Sequence, residues 1–426
     1  MANILYTNVR ILDGSGDSSY AGEVLVQGNR IRRVARGVRT LPTQGVTVID
    51  GAGATLMPGL CDAHAHFSWN NSASLDAIAM MPPEEHTLVT AVSAKSWLDS
   101  GFTMCVGAAA AKPRLDVVIR NAINSGQFPG PRYLANTQEI ATLGGLGDTN
   151  PPHLNDPLMS FGAVVCGPED MRRTVRTFIK YGVDLIKLNL SGEAMTPTGA
   201  DETPMSEEEV AVAVGEAKRR GKRVCAHARS NESVKQCIRH GIEIIYHASY
   251  VNDETLDLLE AEKDKHFVAP ALAWLVTLTN GDASQHGLTK DVLRQMGYMR
   301  ELEIAVEACK KMRKRGIRVL PGGDYGFAWT PHGTYAKDLE YFVNLLGYTP
   351  METLVAATRL GGAIFGKPNE LGQVKEGYLA DLLLVDGDPV ANIKILQDKN
   401  RLLAIMKDGE FHKAPDVMPH RQRISL

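Results

Sequence analysis

Six residues, His64, His66, Lys187, His227, His247 and Asp324, each stand at the end of an apolar run of the kind that forms a β-strand. In a parallel barrel the C-terminal strand ends open toward one shared mouth, and barrel enzymes place their chemistry there. Four imidazoles, one carboxylate and one amine gathered at that mouth would make a metal site. The spacing constrains fold and chemistry together.

The runs support this placement. Met57-Pro-Gly-Leu-Cys-Asp62 leads into His64 and His66, and residues two apart on a strand face the same side. One ion could take both imidazoles. Val183-Asp-Leu-Ile186 delivers Lys187, Arg223-Val-Cys-Ala226 delivers His227, Ile242-Glu-Ile-Ile-Tyr246 delivers His247, and Ile317 to Gly323 delivers Asp324. Candidate strands recur near 56–62, 102–107, 132–136, 183–190, 223–227, 242–248, 266–271 and 317–323. Eight is the number that a closed β/α barrel needs.

Helices fill the gaps. Ser206-Glu-Glu-Glu209 offers a capping box, and Gly182, Gly221 and Gly316 stop three amphipathic segments. Residues 3–50 carry short alternating runs separated by Gly, Asp and Asn, which predict antiparallel strands. Strand patterning returns over 380–412. The expected architecture is α/β: a (β/α)8 TIM-like barrel over 59–366, and a small β-sandwich domain built from 1–58 and 367–426. The tail from Ala414 is polar.

A net charge of −3 over 426 residues argues against nucleic acid or an anionic membrane as a partner. No run approaches the ~18 apolar residues of a membrane span. Met1-Ala-Asn-Ile-Leu-Tyr6 has no basic leader before an apolar core, so a cytoplasmic location is expected. The six cysteines lack CxxC or zinc-ribbon spacing and read as buried small residues.

Lys187 is flanked by Ile186 and Leu188, and an ammonium there must be paired or neutralised. A salt bridge to a barrel acid would serve. Carboxylation by carbon dioxide would also serve, and would supply an anionic ligand able to bridge two cations.

The H-x-H after Met57-Pro-Gly-Leu60, the strand lysine, two single strand histidines and the late Gly322-Gly-Asp324 together resemble the amidohydrolase superfamily. Gly377-Tyr-Leu-Ala-Asp-Leu-Leu-Leu-Val-Asp-Gly-Asp-Pro389 resembles that superfamily's return to its small β domain. The likeness runs from Asn3 to about His412. Within the superfamily the chain most resembles the imidazolonepropionase-like and Xaa-Pro dipeptidase branch, and in particular amidohydrolases that cleave the amide of ochratoxin A. The resemblance implies a binuclear hydrolase of amide or dipeptide substrates. His64, His66 and Asp324 would hold one divalent ion, His227 and His247 the other, and N6-carboxylated Lys187 both. Zinc is the default for imidazoles, with manganese or cobalt open. Asp324 would act as general base and then acid. A homo-oligomer, up to an octamer, is implied as well.

Substrate residues are expected on the loops beyond the ligands. Phe67 and Trp69 follow the H-x-H pair, Trp274 follows the seventh run, and Tyr325, Phe327, Trp329 and His332 follow Asp324. Such aromatics suit a bulky substrate or simply pack the loop bases. Arg229 shares the strand face of His227 and could anchor a carboxylate or form a structural salt bridge. Related dipeptidases read T-G-G-H-G where this chain has Thr142-Leu-Gly-Gly-Leu146-Gly-Asp148. Leu146 leaves space for a larger apolar acyl group, as in ochratoxin A. His153 and His332 are expected near the ligands, and the remaining histidines in the structure's frame or facing solvent. A deaminase or cyclic-amide hydrolase is the nearer rival, and a non-catalytic scaffold the more distant.

Overall fold

The computed structural model describes residues 3–151, 153 and 160–415. The expected tail falls mostly outside the described residues. The alternating N-terminal runs form β1 (Asn3–Ile11), β2 (Tyr20–Gln27), β3 (Arg30–Arg36), β4 (Thr47–Asp50) and β5 (Thr55–Pro58). Gly28, at φ +61°, makes the tight turn between β2 and β3 that a side chain would strain.

Beyond Gly59 the chain enters parallel sheet. β6 (Leu60–Ala65), β7 (Phe102–Gly107) and β8 (Arg132–Leu134) form one three-stranded sheet in that order. β9 (Ile140–Thr142), β10 (Ala163–Val165), β11 (Leu185–Asn189), β12 (Arg223–Ala228), β13 (Ile244–His247) and β14 (Phe267–Ala269) form a second. Its order is β10-β9-β11-β12-β13-β14. β9 and β10 carry no apolar run long enough to predict them.

Isolated backbone bonds join the two sheets on both sides. Ala135 O accepts from Asp184 N and Leu185 N at 2.8 and 3.1 Å. On the other side the segment 317–323, expected as a strand, makes one bridge, Val268 to Val319, instead of a ladder. Leu320 N donates to Val268 O at 2.9 Å, and Ala63 N to Pro321 O at 3.0 Å. Pro321 has no N–H to offer and two glycines follow it, so the ladder stops there.

Period-two alternation sorts the side chains of β11. Ile186 and Leu188 join the cluster beneath the helices, with Val224, Ala226, Ile245 and Val268. Leu185 joins the inner cluster of Cys225, Ile244, Tyr246 and Leu320, and Lys187 shares its side. The helices begin and end as the sequence implies. Both halves of the Ser206/Glu209 capping box are formed, and Gly182 and Gly316 close their helices at φ +94° and +70°. Five cysteines are buried, whereas Cys166 is exposed, contrary to expectation.

The chain's other end supplies β15 (Leu382–Val385), β16 (Leu402–Lys407) and β17 (Glu410–Lys413). In place of an expected sandwich of two sheets, all eight terminal strands are bonded into one mixed sheet. Its order is β17-β16-β15-β5-β1-β2-β3, with β4 on β1. It closes over Tyr6, Val24, Leu56, Leu384 and Met406. Arg132 at the start of β8 ties the two regions together, bonding Asp381 at 2.8 and 3.0 Å and Asp408 at 2.8 Å.

Glu23 pins the loop after β3. Its carboxylate is 1% exposed and accepts from Thr7 Oγ1, Arg39 N, Thr40 N, Thr40 Oγ1 and Leu41 N at 2.5–2.9 Å. Burial would raise its pKa, but these donors outweigh that and bring it from 4.5 to about 2. A depressed folded pKa stabilises fully above the unfolded value and is lost as pH falls through the folded one. Urea titrations of Glu23→Gln at pH 7 should therefore show a loss of about 2 kcal/mol. The difference from wild type should shrink steadily between about pH 4.5 and pH 2.

Candidate metal centre and substrate cavity

His64 near the end of β6 and His66 just beyond it are both buried, with ring centroids 5.2 Å apart. Asp324 Oδ1 lies 3.2 Å from His66 Nε2 and 3.9 Å from His64 Nε2. His66 Nδ1 stands 3.2 Å from the Ala109 carbonyl, which accepts its N–H. The Nε2 lone pair then faces a carboxylate, and the two repel unless a cation lies between them. Ligand atoms of His64, His66 and Asp324 all fall within 4.8 Å of one another. These three fit one divalent ion.

Neighbouring strand ends supply a second set. In register, Asn189 pairs with His227 and Ala228 with His247. The His227 and His247 rings are 4.4 Å apart, and His247 is 5.2 Å from His64. The Nδ1 atoms of His64 and His247 are buried without a protein partner. Burial pushes His64, His227 and His247 well below the usual imidazole pKa, leaving them neutral as ligation requires.

Lys187 sits among these groups, 1% exposed. Its Nζ is 4.5 Å from the Tyr246 ring centroid, and no carboxylate oxygen lies within 4.0 Å among the described residues. The salt-bridge account of this lysine is not realised.

Backbone strain aims two ligands. His247 and Asp324 adopt φ of +73° and +59°, a region that costs a non-glycine residue about 1 kcal/mol or more. Gly322 permits the approach of this segment to β6, since a Cβ there would lie 2.6 Å from His64 N.

Above the ligands opens a cavity of about 540 Å³. Trp69, Leu146, Trp274, Phe327 and Trp329 form much of its wall. Trp69 stacks on His66 at 3.9 Å, and Phe327 lies parallel to Trp329 at 5.3 Å. Three expected substrate residues stand elsewhere. Phe67 stacks on Tyr133 at 4.0 Å, and the Tyr325 hydroxyl donates to Tyr335 O at 3.0 Å. His332 Nε2 is 2.5 Å from Trp69 O, so this ring braces the loop rather than lining the cavity. His153 is exposed. His286, expected away from the site, lines its mouth.

Arg229 does reach the cavity wall, but its charge is already engaged. Glu193 lies 2.6 Å and Glu301 2.5 Å from its guanidinium. Burial works against the charge, and the two glutamates outweigh it. Burial raises Glu193 to about 7 despite Arg229. The geometry forms the structural salt bridge rather than a free carboxylate anchor. Neither glutamate, nor Glu139 in the same wall, carries a spacing signal in the sequence.

Imidazoles and a carboxylate at parallel strand ends, beneath a largely apolar cavity, are an arrangement that suits metal-dependent hydrolases of the α/β kind. The chain belongs to the amidohydrolase family, whose model matches residues 55–411. It is a hydrolase acting on amide C–N bonds. Ochratoxinase of Aspergillus niger is 26% identical over 385 residues, covering 85% of this chain and 77% of that enzyme. A solved Xaa-Pro dipeptidase with methionine bound in its active site is 25% identical, with a TM-score of 0.85 over 97% of this chain and all of that one. A prolidase complexed with N-methylphosphonate-L-proline has the same identity and coverage, with a TM-score of 0.87.

Removing only the cation from the Arg229 cluster should be costly. Chemical denaturation of Arg229→Met should show a loss of about 3–5 kcal/mol, since two buried carboxylates lose their counter-charge. Adding Glu193→Gln and Glu301→Gln should restore much of it.

Proposed function

We propose that this chain is a binuclear metal-dependent amidohydrolase that releases an amino acid from an amide with a bulky aromatic acyl group, ochratoxin A being one such amide. The carrying observation is Lys187, buried without a counter-charge between two facing sets of imidazoles. An isolated ammonium there costs several kcal/mol. Addition of carbon dioxide to the neutral amine forms a carbamate and releases one proton. The positive charge is replaced by an anion where both metal sites can share it.

In this reading His64, His66 and Asp324 would hold one ion, His227 and His247 the other, and carboxylated Lys187 would serve both, with zinc the first choice. When bound, the ions would lower the pKa of a shared water and polarise the scissile carbonyl. Asp324 would take a proton from the attacking water and return it to the leaving nitrogen. Its strained backbone holds the carboxylate at the mouth throughout. Trp69, Trp274, Trp329 and Leu146 cover the aromatic acyl half and exclude bulk water. The parallel strands close as a (β/α)8 ring through their two seams. Likeness to A. niger ochratoxinase supports the acyl group. Likeness to the prolidase and the Xaa-Pro dipeptidase favours a second reading, cleavage of small dipeptides, against which Leu146 and the apolar wall weigh.

Metal analysis of purified protein, with hydrolysis assays on ochratoxin A and N-acyl-phenylalanines, tests the proposal beside Lys187→Ala. Two ions per chain are expected, with turnover falling at least about 100-fold in the variant and partly restored by added short carboxylates. One ion with unaffected turnover would sink the bridging role. Two ions without turnover would keep the centre and discard these substrates.

A further inference from the structure

Glu139 is a buried carboxylate whose partners do not account for it. It follows β8, is 6% exposed, and lines the cavity beside Leu146, Gly147 and Lys187. Its Oε2 accepts from Asn189 Nδ2 at 2.7 Å, and Asn189 is fixed by donating to Leu146 O at 2.9 Å. Among the described residues Oε1 has no hydrogen-bond partner, and no cation lies within 4.0 Å of either oxygen. The cavity's other carboxylates are differently placed. Asp324 faces the imidazoles. Glu193 takes Arg229, the Tyr298 hydroxyl and the Ala194 amide. Asp148 accepts from Gly144 N, and Asp76 is exposed at the rim.

With Oε2 held by Asn189, Oε1 is left facing the cavity and free to accept a further donor. An ammonium entering the cavity would supply that donor through a charge-assisted bond. Amide hydrolysis makes such a group. The scissile nitrogen is neutral in the amide, and once the C–N bond breaks and the nitrogen gains its protons it is an ammonium at neutral pH.

We propose that Glu139 is the ammonium-binding residue of a subsite for a free α-amino acid with an apolar or aromatic side chain. The subsite rests on the proposed amide cleavage for the origin of its ligand, but its binding is a separate property. It discriminates the released amino acid from the intact amide, because only the former carries the charge. Once the acyl half has left, the indole walls are free to cover the side chain.

Calorimetric titration of zinc-loaded protein with L-phenylalanine and with 3-phenylpropanoate, which lacks only the amine, tests this. Wild type should bind L-phenylalanine at least about ten-fold tighter. Glu139→Gln keeps a carbonyl for Asn189 and the side-chain volume, and should abolish that preference by weakening L-phenylalanine alone. Equal affinity for the two ligands in wild type overturns the proposal, and that comparison needs no variant to fold. Equal weakening of both in Glu139→Gln, or of neither, also overturns it. Discrimination without hydrolysis of any amide tested would remove the proposed activity and leave the subsite standing. Hydrolysis without discrimination would do the reverse.

Discussion

An ammonium in an apolar wall cannot be left as it is, and the geometry around Lys187 answers that constraint. Its strand neighbours Ile186 and Leu188 face the helices, so the alternation of β11 sends Lys187 to the inner side. There it meets the face of Tyr246, with no carboxylate oxygen within 4.0 Å among the described residues. Burial keeps His64, His227 and His247 neutral, and they are buried because parallel strands deliver them to one covered mouth. Lone pairs converge on a region that only positive charge can make comfortable.

The cavity wall handles charge in another way. Arg229 stands between Glu193 and Glu301, and Ser249 and Tyr298 donate to the same carboxylates at 2.8 Å. This cluster pairs its charges within the protein, which stiffens the wall behind Trp274, while Arg229 Nε and Glu301 Oε2 are buried without a partner. Glu139 is the contrast, a carboxylate with one donor. Placing one saturated and one unsaturated acid around an aromatic box gives the cavity a direction.

The candidate ligands were legible as strand-end residues because each lies at the end of a β-branched or leucine-rich run, and period two fixes the face. The strands that both ends contribute to one sheet were legible from their alternation. What escaped the sequence involved approach between segments distant in the chain. Tyr325 and Phe67 stand next to ligands in sequence, yet alternation turns them into the core behind the strands. His332 braces Trp69, a contact across more than 260 residues. The run 317–323 reads as a strand by hydrophobicity, but Pro321 and two glycines deny it a ladder. Glu139 and Glu193 sit in loops without periodicity, where only the folded cavity reveals what they face.

The eight-stranded sheet draws its members from both ends of the chain, with β5 bonded to β1 on one side and to β15 on the other. This ties the order of synthesis to the order of assembly. On the ribosome β1 to β5 emerge first, but the edge of β5 waits for more than 300 residues before its partner exists. Through that interval the edge is an open template for pairing with another chain. The last strands therefore seal the molecule, and Arg132 locks onto Asp381 and Asp408 only when they arrive.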